Sequence, residues 1–298
     1  MRALARARLL AWLAVISLLG GCITLTADPR AVMSGPGGSA RVTTLTCGDA
    51  ADRVLHETGE TGAAEALGRR PFRLVNWNVH KQADPGWEKD LSEFAGLADV
   101  MLLQEAVLQP PLRRILDDAG LRWVMASSFL SGTEEFGVLT ATRIVPIASC
   151  TQRATEPLIR IPKSSVISWL PIAGTAAGTR ETLAIVNIHA INFELVPTAY
   201  RQQIEALADT LAAHRGPIIF GGDFNTWSDA RDAVVHETAA RLGLTEMQLR
   251  VDRRTLFFGR HLDHIFVRGL ELLDLDAIPV TSSDHNPVAA VFRVALSQ

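Results

Sequence analysis

The chain has 298 residues, 48% hydrophobic and 20% charged, enough to bury one large core and too apolar for extended disorder to dominate. Its formal charge is −3, and loss of a leader carrying Arg2, Arg6 and Arg8 but no acid leaves −3 − 3 = −6. A net acidic chain exerts no global pull on nucleic acid, so any grip on DNA or RNA must be local.

In chain order, Met1 to Arg8 is basic, Leu9 to Leu19 is apolar, and Gly20-Gly21-Cys22 follows. This charged, apolar, small-residue order predicts a secretory signal over 1–21, too short to span a bilayer of ~30 Å. Leu19-Gly20-Gly21-Cys22 resembles a bacterial lipobox, whose cysteine is acylated. That predicts an exported lipoprotein anchored to a membrane through Cys22; the alternative is an ordinary cleaved signal with an incidental cysteine. Export through an oxidising compartment then favours a disulfide between the remaining pair, Cys47 and Cys150, over two buried thiols. Residues 22–68, rich in Gly, Ala, Thr and Ser without sustained period, read as a tether and loosely attached segment, with short helical pieces at Ala50 to Leu55 and Ala63 to Leu67.

From 69 to 298 the pattern predicts one α/β domain, expected to act as a monomer. Strands are expected at Pro71–Val79, Asp99–Leu103, Arg122–Ala126, Phe136–Ala141, Ile144–Ser149, Val166–Pro171, Thr182–His189, Pro217–Phe220, Leu262–Val267, Leu273–Ile278 and Val288–Val294. Helices are expected at Trp87–Leu97, Leu112–Ala119, from Tyr200 to Leu211, and at Asp229–Leu242 with Ser228 as N-cap. Gln152 to Ser165, with Arg153, Arg160 and Lys163, and Asp252 to His261, with Arg253, Arg254 and Arg260, read as basic specificity loops that suit a phosphate-rich ligand, the alternative being ordinary solubilising residues.

Acids, amides and imidazoles gather at the ends of these strands: Asn76-Trp77-Asn78-Val79-His80, Leu103-Gln104-Glu105, Asn187-Ile188-His189, Gly221-Gly222-Asp223-Phe224-Asn225, Leu262-Asp263-His264 and Ser283-Asp284-His285-Asn286-Pro287. A carboxylate that follows an apolar run such as VMLLQ is costly to bury alone, and a cation or hydrogen-bond network relieves that cost. Oxygen-rich ligands point to a hard ion, Mg²⁺ with Mn²⁺ or Ca²⁺ as alternatives, in preference to zinc. The plainer readings are strand-end hydrogen bonds for Asn78, helix caps for Glu105 and Asp223, and a satisfied core position for His189. His80, Lys81, His261 and His264 read as residues lining the mouth.

The ordered series WN, LLQE, NIH, GGDFN, LDHIF and SDHNP resembles the motif set of the endonuclease/exonuclease/phosphatase superfamily over roughly Arg69 to Val294. NWNVHK, HAINFE and GDFNTWS resemble more narrowly the bacterial YafD-like branch. The resemblance implies a four-layer α/β sandwich, with two facing mixed sheets flanked by helices. It also implies a metal-dependent phosphoesterase acting on a phosphodiester or phosphomonoester, nucleic acid included. Carried over, Asn78, Glu105 and Asp284 serve the metal. Asp223 handles the attacking water, Asn225 orients the phosphate, and Asp263 pairs with His285. His189 meets the non-bridging oxygens or the leaving group. Competing readings are a membrane-lipid phosphodiesterase and a non-catalytic lipoprotein scaffold. Against the lipid reading, the scattered Phe and Trp and single Tyr suggest no aromatic hairpin able to enter a bilayer.

Overall fold

Short apolar runs separated by turn residues form the strands, and a computed structural model describes them for residues 23–25, 30–35, 38–42, 46–56, 66–68, 70–173 and 181–295. The expected leader and Cys22 lie outside the described residues. In chain order the strands are β1 (Ile23–Thr24), β2 (Arg30–Gly35), β3 (Gly38–Val42), β4 (Phe72–Asn78), β5 (Val100–Val107), β6 (Arg122–Ser131), β7 (Glu134–Thr142), β8 (Ala148–Thr155), β9 (Pro162–Pro171), β10 (Thr182–His189), β11 (Ile218–Asp223), β12 (Thr245–Glu246), β13 (Leu256–Phe257), β14 (Arg260–His261), β15 (Asp263–Arg268), β16 (Leu270–Ala277) and β17 (Val288–Val294). The helices are α1 (Cys47–His56), α2 (Trp87–Leu97), α3 (Pro110–Asp118), α4 (Thr198–Leu211) and α5 (Asp229–Arg241).

Among the described residues, one sheet runs β16-β17-β4-β5-β7-β6-β2-β3 with β1 on β6, and a second runs β12-β15-β11-β10-β9-β8. Both are mixed: β4 runs parallel to β5, and β10 to β11, while their other neighbours are antiparallel. Alternation along each strand gives every sheet two faces. Leu74, Leu102 and Phe292 of the first sheet pack with Ile185, Ile219 and Ile265 of the second, forming the central core. The outer face of the first sheet buries Trp77 and Met101 under Leu91 of α2 and Leu112 of α3. That of the second buries Val186 and Phe220 under Ile204 and Leu207 of α4 and Val234 of α5. These are the four layers the motif resemblance implied.

Differences from the sequence reading have local causes. Arg30–Gly35 and Gly38–Val42, read as tether, pair as two strands added to β6, with Ala31 and Val32 buried and Trp123 N–H donating to Ser34 Oγ at 2.8 Å. Leu67, expected in a helical piece whose residues 63–65 lie outside the described ones, forms a β-bridge with Ile172. Helix α1 is joined to β8 by the Cys47–Cys150 disulfide, with the Cα atoms 5.1 Å apart. The strand expected from Ile144 begins instead at Ala148, after Pro146, which lacks the N–H a ladder needs. The expected loop Gln152–Ser165 is largely β-hairpin, with Gln152 opposite Ser165 and Ala154 opposite Lys163. Ser228 occupies the N-cap of α5 by position but makes no side-chain cap hydrogen bond.

Candidate active site

All the motif-bearing segments reach the same end of the two sheets. Asn78 and Glu105 stand at the C-terminal ends of β4 and β5, His189 and Asp223 at those of β10 and β11, and Asp263 at the start of antiparallel β15. Beneath them an amide cluster crosses from sheet to sheet. Gln104 Nε2 donates to Asn76 Oδ1 at 2.9 Å and to Asn187 Oδ1 at 2.7 Å, and Asn187 Nδ2 donates to the Leu139 carbonyl at 2.9 Å. Buried polar groups satisfied by one another fix relative position, so this cluster sets the register of the sheets under the site.

The backbone departs from regular structure where the polar side chains are presented. Pairing of β5 with β7 breaks between Leu103 and Ala106, and Glu105 lies inside that bulge with φ of 51°. A bulge re-aims a side chain, and a non-glycine residue in the left-handed region is held there by its surroundings. Here the hold comes from a turn over His80–Gln82, whose three residues all have positive φ. Buried Gln82 stitches it to the bulge, donating to Val107 O at 2.8 Å and accepting from Val107 N at 2.7 Å. Gly222 precedes Asp223 because a Cβ there would meet the Ile188 carbonyl at 2.1 Å.

Asp223 accepts from Asn78 Nδ2 and from the Asn225 backbone N–H, each at 3.0 Å. Asn225, also at positive φ (51°), donates its side-chain amide to Ala190 O at 2.9 Å. His189 Nε2 lies 3.5 Å from Asp223 and 3.9 Å from Glu105. His285 Nδ1 meets Asp263 Oδ2 at 2.7 Å, as the resemblance implied. The loop carrying Asp284 and His285 is pinned by Trp77 Nε1 donating to His285 O at 2.9 Å and Ser283 Oγ donating to Asn78 O at 2.7 Å. Asp284 points to the mouth, 3.9 Å from His80 Nε2, and its side chain is 42% exposed. The eight residues singled out in the sequence thus gather at one end of the sandwich.

Two lysines join them. Lys81 Nζ contacts Glu105 Oε2 at 2.7 Å, and Lys163 Nζ lies 2.7 Å from His189 Nε2. Lys81 is therefore an ion-pair partner within the site, whereas its motif position suggested only the mouth. Lys163 was expected on a basic specificity loop suited to a phosphate-rich ligand; it stands instead on β9 within the site, and strand alternation through Pro162–Pro171 was the available signal. His264, also read as a mouth residue, is buried: Nδ1 meets Glu246 at 2.6 Å and Nε2 meets Thr226 Oγ1 at 2.7 Å. Arg231, not singled out, is fully buried and donates to the Ile191, Asn192 and Glu194 carbonyls, holding the loop after His189.

These contacts separate the two histidines. Burial pulls His285 down, but Asp263, Asp223 and Asp284 push it up to about 10, so it carries a proton at neutral pH. Burial and the neighbouring Lys163 pull His189 down to about 4, leaving it neutral, and burial lowers Lys163 as well. Burial also raises Asp284. Glu105 is raised by burial, yet Lys81, Lys163 and His189 outweigh this and hold it well below the usual carboxylate range. Among the described residues, no three acidic, His or Cys side chains close on a point to complete a metal's coordination by themselves.

Residues 75–285 match the model of the Endonuclease/Exonuclease/phosphatase family. A UPF0294 protein of Yersinia pseudotuberculosis is 38% identical over 222 residues, 74% of this chain and 84% of the relative. A UPF0294 protein of Vibrio cholerae is 36% identical over 224 residues, 75% of this chain and 78% of the relative. Among solved structures, the human Nocturnin catalytic domain with bound sulfate aligns with a TM-score of 0.57 at 17% identity, covering 76% of this chain and 95% of that one. TDP2 of D. rerio, complexed with single strand DNA product, aligns at 0.52 and 18% identity, covering 75% and 99%.

Proposed function

Because the chain belongs to the endonuclease/exonuclease/phosphatase family, a superfamily of hydrolases acting on phosphoesters, we propose that it is a divalent-metal-dependent phosphoesterase. The observation that carries this reading is the gathering of Glu105, Asp223, the Asp263–His285 pair, Asn78 and Asn225 from five separate strand ends and loops. A structural role for these residues would not require charged groups to meet in one place at the cost of burying them.

A hard cation suits the donors. The buried Glu105 carboxylate already meets a cationic group, the Lys81 ammonium at 2.7 Å, and every candidate ligand is an oxygen. Glu105 and Asp284, with Asn78 beside them, would hold Mg²⁺, or Mn²⁺ or Ca²⁺ in its place. Water and phosphate oxygens would complete the shell, as Mg²⁺ favours. Bound there, the ion would supply positive charge to the phosphoryl oxygens.

The chain's own residues divide the remaining work. Asp223, with one oxygen held by Asn78 and the other by the Asn225 N–H, orients the attacking water. His285, kept protonated by Asp263, stabilises negative charge on the phosphoryl oxygens or gives its proton to the leaving group. His189 is neutral and lies 2.7 Å from Lys163 Nζ, so the oxygen-binding task expected of His189 is shared with Lys163, whose own pKa burial lowers.

The net acidic chain argues against a nuclease as the first choice of substrate class. A membrane-lipid phosphodiester is favoured over it by one feature of the surface, exposed apolar side chains at Leu256, Phe257 and Phe258. The test is a panel of DNA, RNA, sphingomyelin, glycerophospholipids and inositol phosphates with Mg²⁺ or chelator. Metal-dependent cleavage of at least one is the expected result. No cleavage of any, by folded protein with any divalent ion, would leave a binding scaffold as the better reading.

A further inference from the structure

The site end of the molecule carries a surface that hydrolysis of a soluble phosphoester does not require. Strands β13 and β14 form a two-residue-turn hairpin whose tip exposes Leu256 (58%), Phe257 (42%) and Phe258 (72%). Both central residues of the turn, Phe258 (φ 50°) and Gly259 (φ 78°), are left-handed, a geometry that selects Asn, Asp or Gly. A bulky aromatic there is disfavoured by the backbone and withdrawn from the core, so folding gives no reason for it. This corrects the reading that the chain has no exposed aromatic hairpin.

The hairpin rises directly from the site. Thr226, next to Asn225, donates its hydroxyl to His261 O at 2.7 Å. Asn286, next to His285, donates to Thr255 Oγ1 at 3.1 Å and to Arg253 O at 2.7 Å. On the other side of the same Asn225–Trp227 turn, Trp227 Nε1 holds Asn192 Oδ1 at 2.9 Å, on a loop that exposes Leu195 and Val196.

Charge identifies what such a tip meets. Residues 250–261 carry Arg250, Arg253, Arg254 and Arg260 against Asp252, a local +4 − 1 = +3 in a chain of net −3. Arg254 is buried and structural, bonded to Asp252 and to Asp263 O, which leaves Arg250, Arg253 and Arg260 flanking the apolar tip along the chain. Arg253 and Arg260 touch Asp276 and Asp229 at the exposed surface, and such pairs are weak enough to exchange for other anions. An apolar tip flanked by arginines matches the interface of an anionic bilayer, acyl chains below and phosphates above.

Strand register adds an independent observation. Ile23 pairs with Ser131, the last residue of β6, and Ser131 pairs with Glu134, the first of β7. Because Val107 at the site end of β5 pairs with Phe136 of β7, Ile23 lies at the site end of the sheet. The residue before it is Cys22, the expected acylation point. If Cys22 is acylated, the chain enters the described structure at Ile23, on the same end of the molecule as the hairpin tip.

We propose that the Leu256–Phe258 tip docks the site end of this protein on an anionic phospholipid surface, so that its substrate is a phosphoester held at that surface. The docking stands on its own, and the substrate clause rests on the phosphoesterase reading.

The test uses the full chain with a polarity-sensitive thiol dye at Phe258→Cys, or at Phe257→Cys if the first variant folds poorly. Wild-type chain treated alike supplies the background, and Leu97→Cys reports from the exposed end of α2 at the opposite edge. Vesicles rich in phosphatidylglycerol should blue-shift the hairpin dye and raise its emission several-fold, leaving the Leu97→Cys dye unchanged. Arg253→Glu with Arg260→Glu should weaken vesicle binding by at least about thirtyfold, in line with ~1 kcal/mol for each basic residue lost. A dark hairpin probe, an equal response at both labelled positions, or a response to DNA or RNA but not to vesicles would each overturn the docking. Turnover of a soluble bis-aryl phosphodiester by the same labelled protein separates the two claims. Turnover with a dark probe sinks the docking alone, and a bright probe without turnover sinks the phosphoesterase alone.

Discussion

His285 and His189 are chemically opposite although both are buried within the same site. Between about pH 6.5 and 10, folded His285 keeps a proton that an unfolded histidine has lost. The folded state then binds more protons than the unfolded one, so stability falls as pH rises through this window. His189 has the reverse sign: its folded value is about 4, so between 6.5 and 4 the unfolded state binds more protons and stability is lost as pH falls. The chelated protein should therefore be most stable near neutral pH, measured as the urea midpoint at a series of pH values. His285→Asn should flatten the alkaline limb; a limb of unchanged slope would contradict the assignment of charge to this residue. His285→Ala should also lower turnover by about 10²–10⁴-fold while near-UV circular dichroism stays native, since the role is charge and proton management. A variant that unfolds would show instead that His285 is mainly a packing residue.

At the scale of elements, the strands that end in the site were legible from short apolar runs, and Phe72–Asn78, Val100–Val107 and Ile218–Asp223 all arise from such runs. The β8–β9 hairpin was less legible, because its outer part reads TQRATEPLIRIPKSS, polar and proline-bearing, and pairing rather than hydrophobicity makes it a strand. The place of Lys163 in the site was obscured with it. The β2–β3 pair was missed because small residues carry little periodic signal and gain their order from the β6 edge they join. The Phe257–Phe258 tip was visible as letters, but exposure is a property of the fold. Helix α1 depends on its covalent tie, which joins residues 103 apart in sequence. Breaking the disulfide with Cys47→Ser plus Cys150→Ser should cost about 2–4 kcal/mol in chemical denaturation. No loss would mean that packing of Ala50 and Val54 against the second sheet suffices.

For the whole molecule, the two sheets act as a rigid platform, and each contributes part of the chemistry. Glu105, Asn78 and the His285 loop belong to the first sheet, whereas His189, Asp223 and Asp263 belong to the second. The Asn76–Gln104–Asn187 cluster locks them together directly below. Placement of the chain in its compartment is a separate question, one that the expected leader and Cys22 raise. Cys22→Ala should move the expressed protein out of the membrane fraction or arrest its maturation, and an unchanged membrane fraction would reject the lipid anchor.

The central claim is metal-dependent phosphoester hydrolysis by the Glu105-centred site. Its most direct measurement is turnover of a chromogenic bis-aryl phosphodiester by purified wild-type and Glu105→Gln protein, each stripped with chelator and titrated with Mg²⁺ or Mn²⁺. The account predicts that chelation abolishes wild-type turnover, that the metal restores it, and that Glu105→Gln stays at least about a hundredfold slower at saturating metal. Turnover that persists in chelator, or Glu105→Gln protein as active as wild type, would contradict it.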